Sequence, residues 1–248
     1  MKVNSSYDSI AGMYDRFWRD WYVPAALPAL QRLFFDQIAP PTKILDVCCG
    51  SGHVTAELVR RGFCVTGIDS SAELIDLARF NVPGAEFLVQ DVRTLHLQGA
   101  FDAAISTFDA LNHLLVIEDL RDAFRAVVGA LKPNGLFVFD MNLEKAYTLD
   151  LRQWNATVEE DSVSLVRGTF DPISKLAETE LIWFTRTSGD NWRRRSSVIE
   201  ERCYTQSEIL GALAEAGFST IEAMPAVQAG VSADVGFGRI FVCGRRGK

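Results

Sequence analysis

The stretch from Ile44 to Leu58, ILDVCCGSGHVTAEL, most constrains the fold, because an apolar run leads through a glycine pair into a helical pattern. A strand, a glycine turn and a helix in this order typically bring the backbone close to a nucleotide. No lysine follows Gly52, so the GxxxxGKS/T loop of phosphate-binding hydrolases is excluded. Thr55 stands where the dinucleotide fingerprint needs its third glycine. The match to a phosphate-binding turn is therefore incomplete.

From residue 43 to residue 140, short apolar runs alternate with helical patterns. The runs are KILDVC, FCVTGI, AEFLVQ, FDAAIST and GLFVFDM. Their apolarity is continuous, which is typical of strands buried on both faces of a parallel sheet. The pattern predicts a Rossmann-like α/β fold with helices on both faces of a mostly parallel sheet.

The segments around this core predict one domain over residues 1–248. Residues 1–40 indicate a helical arm or lid, rich in aromatic residues and broken by Pro24 and Pro28, and residues 41–150 form the cofactor-binding core. Residues 151–204 change character and predict an inserted antiparallel β-ribbon of three strands. Residues 205–248 predict a helix, with Thr205 and Glu208 spaced as a capping box, and the last strands.

Three carboxylates follow consecutive predicted strands of the core: Asp46, Asp69 and Asp91. Because parallel strands end at one edge of the sheet, we expect these side chains to line one rim. An acid after the second strand is placed to accept the hydroxyls of a ribose. Asp91 and Val92 would then lie beside an adenine, while Gly50 and Gly52 let the backbone approach an amino-acid tail.

The amino-acid composition limits the classes of binding partner to be expected. Against 25 Lys and Arg stand 32 Asp and Glu, a formal charge of −7, which disfavours nucleic acid and fits a small-molecule substrate. No signal peptide or membrane-spanning run is evident, so we expect a cytoplasmic protein without a membrane partner. The five cysteines form no CxxC pair, which predicts buried thiols and no metal site.

The motifs LDVCCGSG, GIDSS, VQDV, FDAAISTFDALNHL and ALKPNGLFVFD occur in the order found in class I S-adenosylmethionine-dependent methyltransferases, which residues 44–140 therefore resemble. The resemblance implies a seven-stranded sheet with an antiparallel last strand, S-adenosylmethionine as cofactor and S-adenosylhomocysteine as product. The implied cofactor-binding residues are Tyr7, Tyr14, Asp46, Cys49, Gly50, Gly52, Asp69, Ser70, Asp91, Val92, Thr107 and Phe108. The arm and the ribbon are similar to the subgroup of glycine/sarcosine and aminosugar N-methyltransferases, in which the arm closes over the cofactor.

The loop after the fourth strand is the place for a proton acceptor, since TFDALNHL leaves the sheet at its carboxyl end. His113 titrates near neutral pH, which favours it as the catalytic base. The alternative is that His113 only caps or packs the following helix. Tyr14 is the second predicted catalytic residue, because an aromatic face attracts a sulfonium cation.

The sequence favours methyl transfer to a small molecule, first at an amine nitrogen and next at a hydroxyl oxygen. A nicotinamide-dependent oxidoreductase is an alternative, since strand, glycine turn and Asp69 are common to both folds. Another is a protein of this fold that binds S-adenosylmethionine for a different reaction. An exposed ribbon can pair with a copy of itself, so a homodimer is among the expected assemblies.

Overall fold

A seven-stranded sheet forms the centre of the molecule, and a computed structural model describes it for residues 7–148 and 153–248, without the side chains of residues 19 and 20. The strands are β1 Lys43–Val47, β2 Cys64–Asp69, β3 Glu86–Val89, β4 Phe101–Ser106, β5 Leu131–Asn142, β6 Asn155–Val158, β7 Ser162–Asp171, β8 Leu176–Ser188, β9 Asn191–Arg202, β10 Phe218–Pro225 and β11 Arg239–Arg246. The helices are α1 Ala11–Leu33, α2 His53–Arg60, α3 Ala72–Asn81, α4 Ile117–Ala130, α5 Glu144–Tyr147, α6 Gln206–Glu215 and α7 Ala233–Gly236.

The order of strands across the central sheet is β10-β11-β5-β4-β1-β2-β3. Strands β1 to β5 are parallel, and β11 runs antiparallel to both β5 and β10. The strand order reverses between β1 and β4, and such a reversal opens a ligand crevice at the carboxyl ends of the strands. The predicted Rossmann-like fold with an antiparallel last strand is confirmed.

Helices cover both faces of this sheet. One face packs against α4 and α6, with Phe124 and Leu213 fully buried in that layer. The other face packs against α1 and α2, with Leu30 and Leu58 fully buried. Each such side chain contributes about 1.5–3 kcal/mol on burial, so the two layers hold the strands whose ends form the site.

The N-terminal arm is one continuous helix, α1, and the predicted break at Pro24 and Pro28 is wrong. A proline inside a helix removes a hydrogen bond and costs about 3 kcal/mol. Here Tyr22 and Leu30 are buried against the core on the same helix. Tertiary packing of this face outweighs the local cost, as it does for most protein helices.

The ribbon is a separate antiparallel sheet of four strands in the order β6-β7-β8-β9, where three were predicted. The missed strand is β6, whose four residues are all exposed and therefore lack an apolar pattern. Residues 149–152, where the predicted core ends and the predicted ribbon begins, lie outside the described residues.

Arm and ribbon are packed together. Ile10 and Met13 of the arm share a small buried cluster with Leu181, Trp183 and Ile199 of the ribbon. This cluster places the start of α1 over the carboxyl ends of the central strands.

A second contact between arm and ribbon is ionic. The Arg16 guanidinium forms ion pairs with Glu159, at 2.6 Å, and with Asp161. All three side chains are more than one third exposed, so each pair contributes little stability by itself.

Two smaller sequence predictions have opposite outcomes. The capping box at the start of α6 is confirmed: the Glu208 N–H donates to Thr205 Oγ1 at 3.2 Å, and the Thr205 N–H donates to Glu208 Oε2 at 2.8 Å. The expectation of buried thiols is wrong for Cys64, which is exposed where β2 begins.

In the described part of the chain, no helix combines the length and apolarity that a membrane crossing requires.

Candidate functional site

A cavity of about 670 Å³ opens at the carboxyl ends of the central strands. Ligand pockets commonly have volumes of about 300–1,000 Å³. The arm, the loops that follow the strands and the ribbon all contribute to its wall. Ten of the residues predicted for the site line it: Tyr7, Tyr14, Gly50, Asp69, Ser70, Asp91, Val92, Thr107, Phe108 and His113.

The glycine turn and the end of β2 are joined at this cavity. The Gly50 N–H donates to Asp69 Oδ2 at 3.0 Å, and the Ser71 N–H donates to Asp69 Oδ1 at 2.9 Å. Burial raises the pKa of Asp69, while these backbone N–H groups oppose the rise. A carboxylate has about four acceptor positions. Asp69 therefore organises the turn and keeps acceptor capacity for ligand hydroxyls.

Gly50 has no side chain, and this absence leaves space for the Tyr14 ring beside the turn. Its φ is +55°, and a Cβ at this position would stand 3.2 Å from the Tyr14 ring. The turn thus lets the backbone and the arm approach each other across the cavity.

The other three predicted cofactor residues, Asp46, Cys49 and Gly52, are not part of the cavity lining. Asp46 is buried and accepts a hydrogen bond from Thr55 Oγ1 at 2.5 Å. Burial raises the pKa of Asp46 to about 7, although the Thr55 hydroxyl lowers it. The threonine in the third glycine position thus holds Asp46 beneath the turn.

Cys49 and Gly52 pack against the layer below the turn. Cys49 lies against the apolar cluster that contains Val82 and Phe87. Gly52 has a φ of +88°, and a Cβ there would be 3.3 Å from Val82. Cys48, which has a positive φ of 57°, faces the cavity instead.

The residues after β3 fit the adenine end of a nucleoside. The Gln90 side-chain oxygen is buried at the cavity wall and has no hydrogen-bond partner among the described residues. An amino group on a bound base would supply the missing donor. Asp91 accepts from Arg93 at 2.5 Å, and this guanidinium lowers the pKa of Asp91. Gln90 is a residue that the sequence analysis missed, although it stands inside the quoted VQDV motif.

The loop after β4 is held in an unusual backbone conformation. Phe108 and Asp109 have φ values of +63° and +49°, a region that residues with side chains rarely occupy. The Asp140 carboxylate accepts from the Phe108 N–H at 2.7 Å and from the Asp109 N–H at 3.2 Å. The Phe108 ring stacks on Tyr22 of α1, with the ring centroids 4.6 Å apart. The end of β5 and the arm thus position this loop.

A buried arginine at the start of β11 balances the charge of the same loop. Arg239 is 5% exposed and forms ion pairs with Asp109, at 2.9 Å, and with Asp140. Although burial opposes the change, the Arg239 charge lowers the pKa of Asp109. The sequence analysis did not find Arg239, because no local pattern connects it with a loop that is far away in the chain.

His113 lies at the cavity wall with both ring nitrogens bound. Its Nδ1 is 2.9 Å from the Glu200 carbonyl oxygen, which can only accept, so Nδ1 carries the proton. Its Nε2 is 2.9 Å from the Tyr7 hydroxyl and is therefore the acceptor of that hydrogen bond. Burial lowers the pKa of His113. The ring is a neutral base, and it contacts both the arm and the ribbon rather than capping the following helix.

The arm presents aromatic faces to the cavity. The rings of Tyr7 and Tyr14 meet edge to face, with centroids 5.7 Å apart, and Tyr14 meets Trp18 in the same way at 5.3 Å. Burial raises the pKa of both tyrosines well above the usual value, so their hydroxyls stay protonated. These electron-rich faces suit a cation such as a sulfonium.

The ribbon adds Glu201, a carboxyl group that the sequence analysis missed. Glu201 lies two residues beyond the buried Ile199 on β9, and residues two apart on a strand point to the same face. Burial, and then the charge of Asp109, raise the pKa of the Glu201 carboxyl, and Oε1 is 3.6 Å from His113 Nε2. This period-two spacing was the one sequence signal that pointed to it.

Comparison with known proteins adds independent information. Residues 44–135 match the family described as a methyltransferase domain. The Bacillus subtilis protein YqeM, which is named as a methyltransferase, is 28% identical over 224 residues, or 86% of each chain.

Two solved structures have the same fold. An S-adenosylmethionine-dependent methyltransferase from Clostridium acetobutylicum has a TM-score of 0.79 and 21% identity, with 98% of this chain and 100% of that chain covered. An amino pentose methyltransferase from Micromonospora echinaspora has a TM-score of 0.71 and 24% identity, with 98% and 97% covered. None of these similarities supports the nicotinamide-dependent alternative. They agree with the resemblance drawn from the sequence: residues 44–135 match a methyltransferase domain, and the chain has the fold of S-adenosylmethionine-dependent methyltransferases.

Proposed function

We propose that the protein transfers the methyl group of S-adenosylmethionine to an amine nitrogen of a small molecule. The observation that carries this proposal is the state of His113. Its Nδ1 proton is fixed by the Glu200 carbonyl, which leaves Nε2 as an unprotonated base at the cavity wall. An amine needs such a base, because it is protonated in neutral solution and has to lose that proton before it can attack.

The donor is assigned to the side of the cavity formed by the ends of β1, β2 and β3. Asp69 would accept from the ribose hydroxyls, and Gln90 with Val92 would hold the adenine. The backbone at Gly50 would hold the amino-acid tail, with Tyr7 and Tyr14 near the sulfonium. When bound, the sulfonium supplies an electrophilic methyl group.

The chain's own contribution is alignment and proton removal. The arm and the ribbon enclose the acceptor and exclude water. The Tyr7 hydroxyl, which donates to His113 Nε2, would take the amine proton as its own proton moves to that nitrogen. Good alignment of two reactants is worth about 7–11 kcal/mol of barrier, so orientation supplies most of the rate.

The amino pentose methyltransferase of the same fold is named for a small molecule that carries an amine, which supports an amine-bearing acceptor here. The test is a methyl-transfer assay over a panel of matched amines, alcohols and carboxylates, with S-adenosylhomocysteine as the measured product. We expect turnover with amines. Turnover restricted to alcohols or carboxylates would contradict the proposal.

A further inference from the structure

The cavity wall carries two carboxyl groups that influence each other's ionisation, Asp109 and Glu201. Asp109 already has two partners, because Arg239 donates to Oδ1 at 2.9 Å and Asn142 donates to Oδ2 at 2.8 Å. Glu201 has no ion pair with a lysine or arginine among the described residues. The one guanidinium nearby, Arg239, is bound to Asp109 and Asp140. The pair therefore has one more carboxyl group than it has cations.

A second observation at the same wall indicates a ligand. The Tyr147 hydroxyl of α5 lines the cavity next to Glu201, is buried, and has no aligned hydrogen-bond partner in the described structure. Buried polar atoms without a partner are rare in native proteins, and here the open side is the cavity. A bound group that can donate hydrogen bonds would satisfy both Tyr147 and Glu201.

The groups that face Glu201 come from four elements. They are Asp109 from the loop after β4, His113 from the turn that follows it, Tyr147 from α5 and Arg239 from β11. Burial, and then the charge of Asp109, raise the pKa of Glu201, which favours the protonated form of this carboxyl when no cation is bound. A cation that binds at Glu201 favours the charged form and therefore promotes loss of the proton.

We propose that the Asp109–Glu201 pair, together with the Tyr147 hydroxyl, is the site that selects the methyl acceptor by binding its ammonium group. This inference rests on the proposed function and specifies it: the acceptor is a primary or secondary amine that arrives as a cation. Because Glu201 Oε1 is 3.6 Å from His113 Nε2, an ammonium held at Glu201 lies beside the hydrogen-bonded pair of Tyr7 and His113, which takes its proton. Glu201 is thus a specificity-determining residue, and His113 keeps the proton transfer.

The test uses cyclohexylamine and cyclohexanol, a cation and a neutral molecule of similar shape, titrated into the full chain saturated with S-adenosylhomocysteine. We expect the wild type to bind the amine about tenfold or more tightly than the alcohol. Titration at one pH in two buffers of different ionisation enthalpy should reveal proton release with the amine. Equal affinities for the amine and the alcohol would overturn the proposal without any variant.

Glu201→Gln keeps the shape of the side chain and removes its charge. This variant should lose both the preference for the amine and the proton release, with affinity for S-adenosylhomocysteine unchanged. Glu178→Gln is the matched control, since Glu178 is an exposed acid on the same ribbon. Retention of the amine preference in Glu201→Gln would refute the assignment.

The outcome for this site is separable from the outcome for the proposed function. If the wild type methylates amines and Glu201→Gln leaves their KM unchanged, the inference about the site fails and the proposed function stands. If amines bind through Glu201 and only alcohols are methylated, the proposed function fails.

Discussion

His113 is the residue whose chemistry depends most on its surroundings, because burial and two hydrogen bonds fix it as a neutral base. We expect His113→Ala to lower kcat by about 10²- to 10⁴-fold, the range that general base catalysis usually contributes. Affinity for S-adenosylhomocysteine, measured by calorimetry, should change little. Wild-type turnover in this variant would exclude His113 from the mechanism.

The pH dependence follows from the direction of the same pKa shift. The base form is active and the pKa of His113 lies below its usual value, so kcat should rise with pH through a midpoint below about 6.5 and be level at neutral pH. In His113→Ala this rise should disappear. A rise that persists in the variant would assign it to another group.

Asp69 is the residue expected to matter most for the donor. Asp69→Ala removes the acceptor of the Gly50 and Ser71 N–H groups as well as the one assigned to the ribose. We expect affinity for S-adenosylhomocysteine to fall by about tenfold or more, since hydrogen bonds to charged groups contribute roughly 1.5–3 kcal/mol. Asp76→Ala, an exposed acid on α3, is the control and should bind normally.

Single residues also show where prediction from the sequence stops. Asp69 and His113 could be placed in the site because each follows a strand, and strand ends share one edge of a parallel sheet. Glu201 and Arg239 could not, since their role comes from contact with Asp109, a residue remote in the chain. Asp46 stands in a predicted motif but lies beneath the cavity. The periodicity of a strand does not show how far a side chain lies from the cavity surface.

Among the elements, the arm has contacts that can be weakened without disturbing the core. Arg16→Ala removes the ion pairs with Glu159 and Asp161. Exposed pairs of this kind are each worth about 0–1 kcal/mol, so the global stability should hardly change. The arm should open more often, which limited proteolysis would detect as faster cleavage within α1.

The matched control for the arm is Arg125→Ala, which breaks an exposed pair on α4, far from the arm. It should leave the cleavage rate of the arm unchanged. Equal cleavage in Arg16→Ala and the wild type would show that the apolar cluster around Ile10 holds the arm without the ion pairs.

At this scale the sequence was most informative about buried strands. The five core strands and the capped helix α6 have patterns that burial and capping dictate. Strand β6 has no such pattern because its side chains are exposed, and it forms by pairing with β7. Helix α1 continues past its prolines because of tertiary packing, which local propensity does not include.

For the molecule as a whole, Arg239 connects the last strand, the loop after β4 and the end of β5. Arg239→Ala would leave Asp109 and Asp140 buried without their cation, and breaking a buried pair in this way costs about 3–5 kcal/mol. Chemical denaturation should show a loss of that size. Adding Asp140→Asn should recover part of the lost stability. The control is Arg121→Ala, which breaks an exposed ion pair between α4 and α6 and should cost almost no stability.

The two hydrogen bonds of His113 connect the base to both the arm and the ribbon. One nitrogen is held by Tyr7 of the arm and the other by Glu200 of the ribbon, so the orientation of the imidazole depends on both elements. Under the proposed function, the donor would enter before Tyr7 binds His113, because Tyr7 and Tyr14 of the arm line the cavity. The base would therefore be oriented only while the arm and the ribbon enclose the cavity. Water would then be kept from the activated methyl group until an acceptor lies beside it.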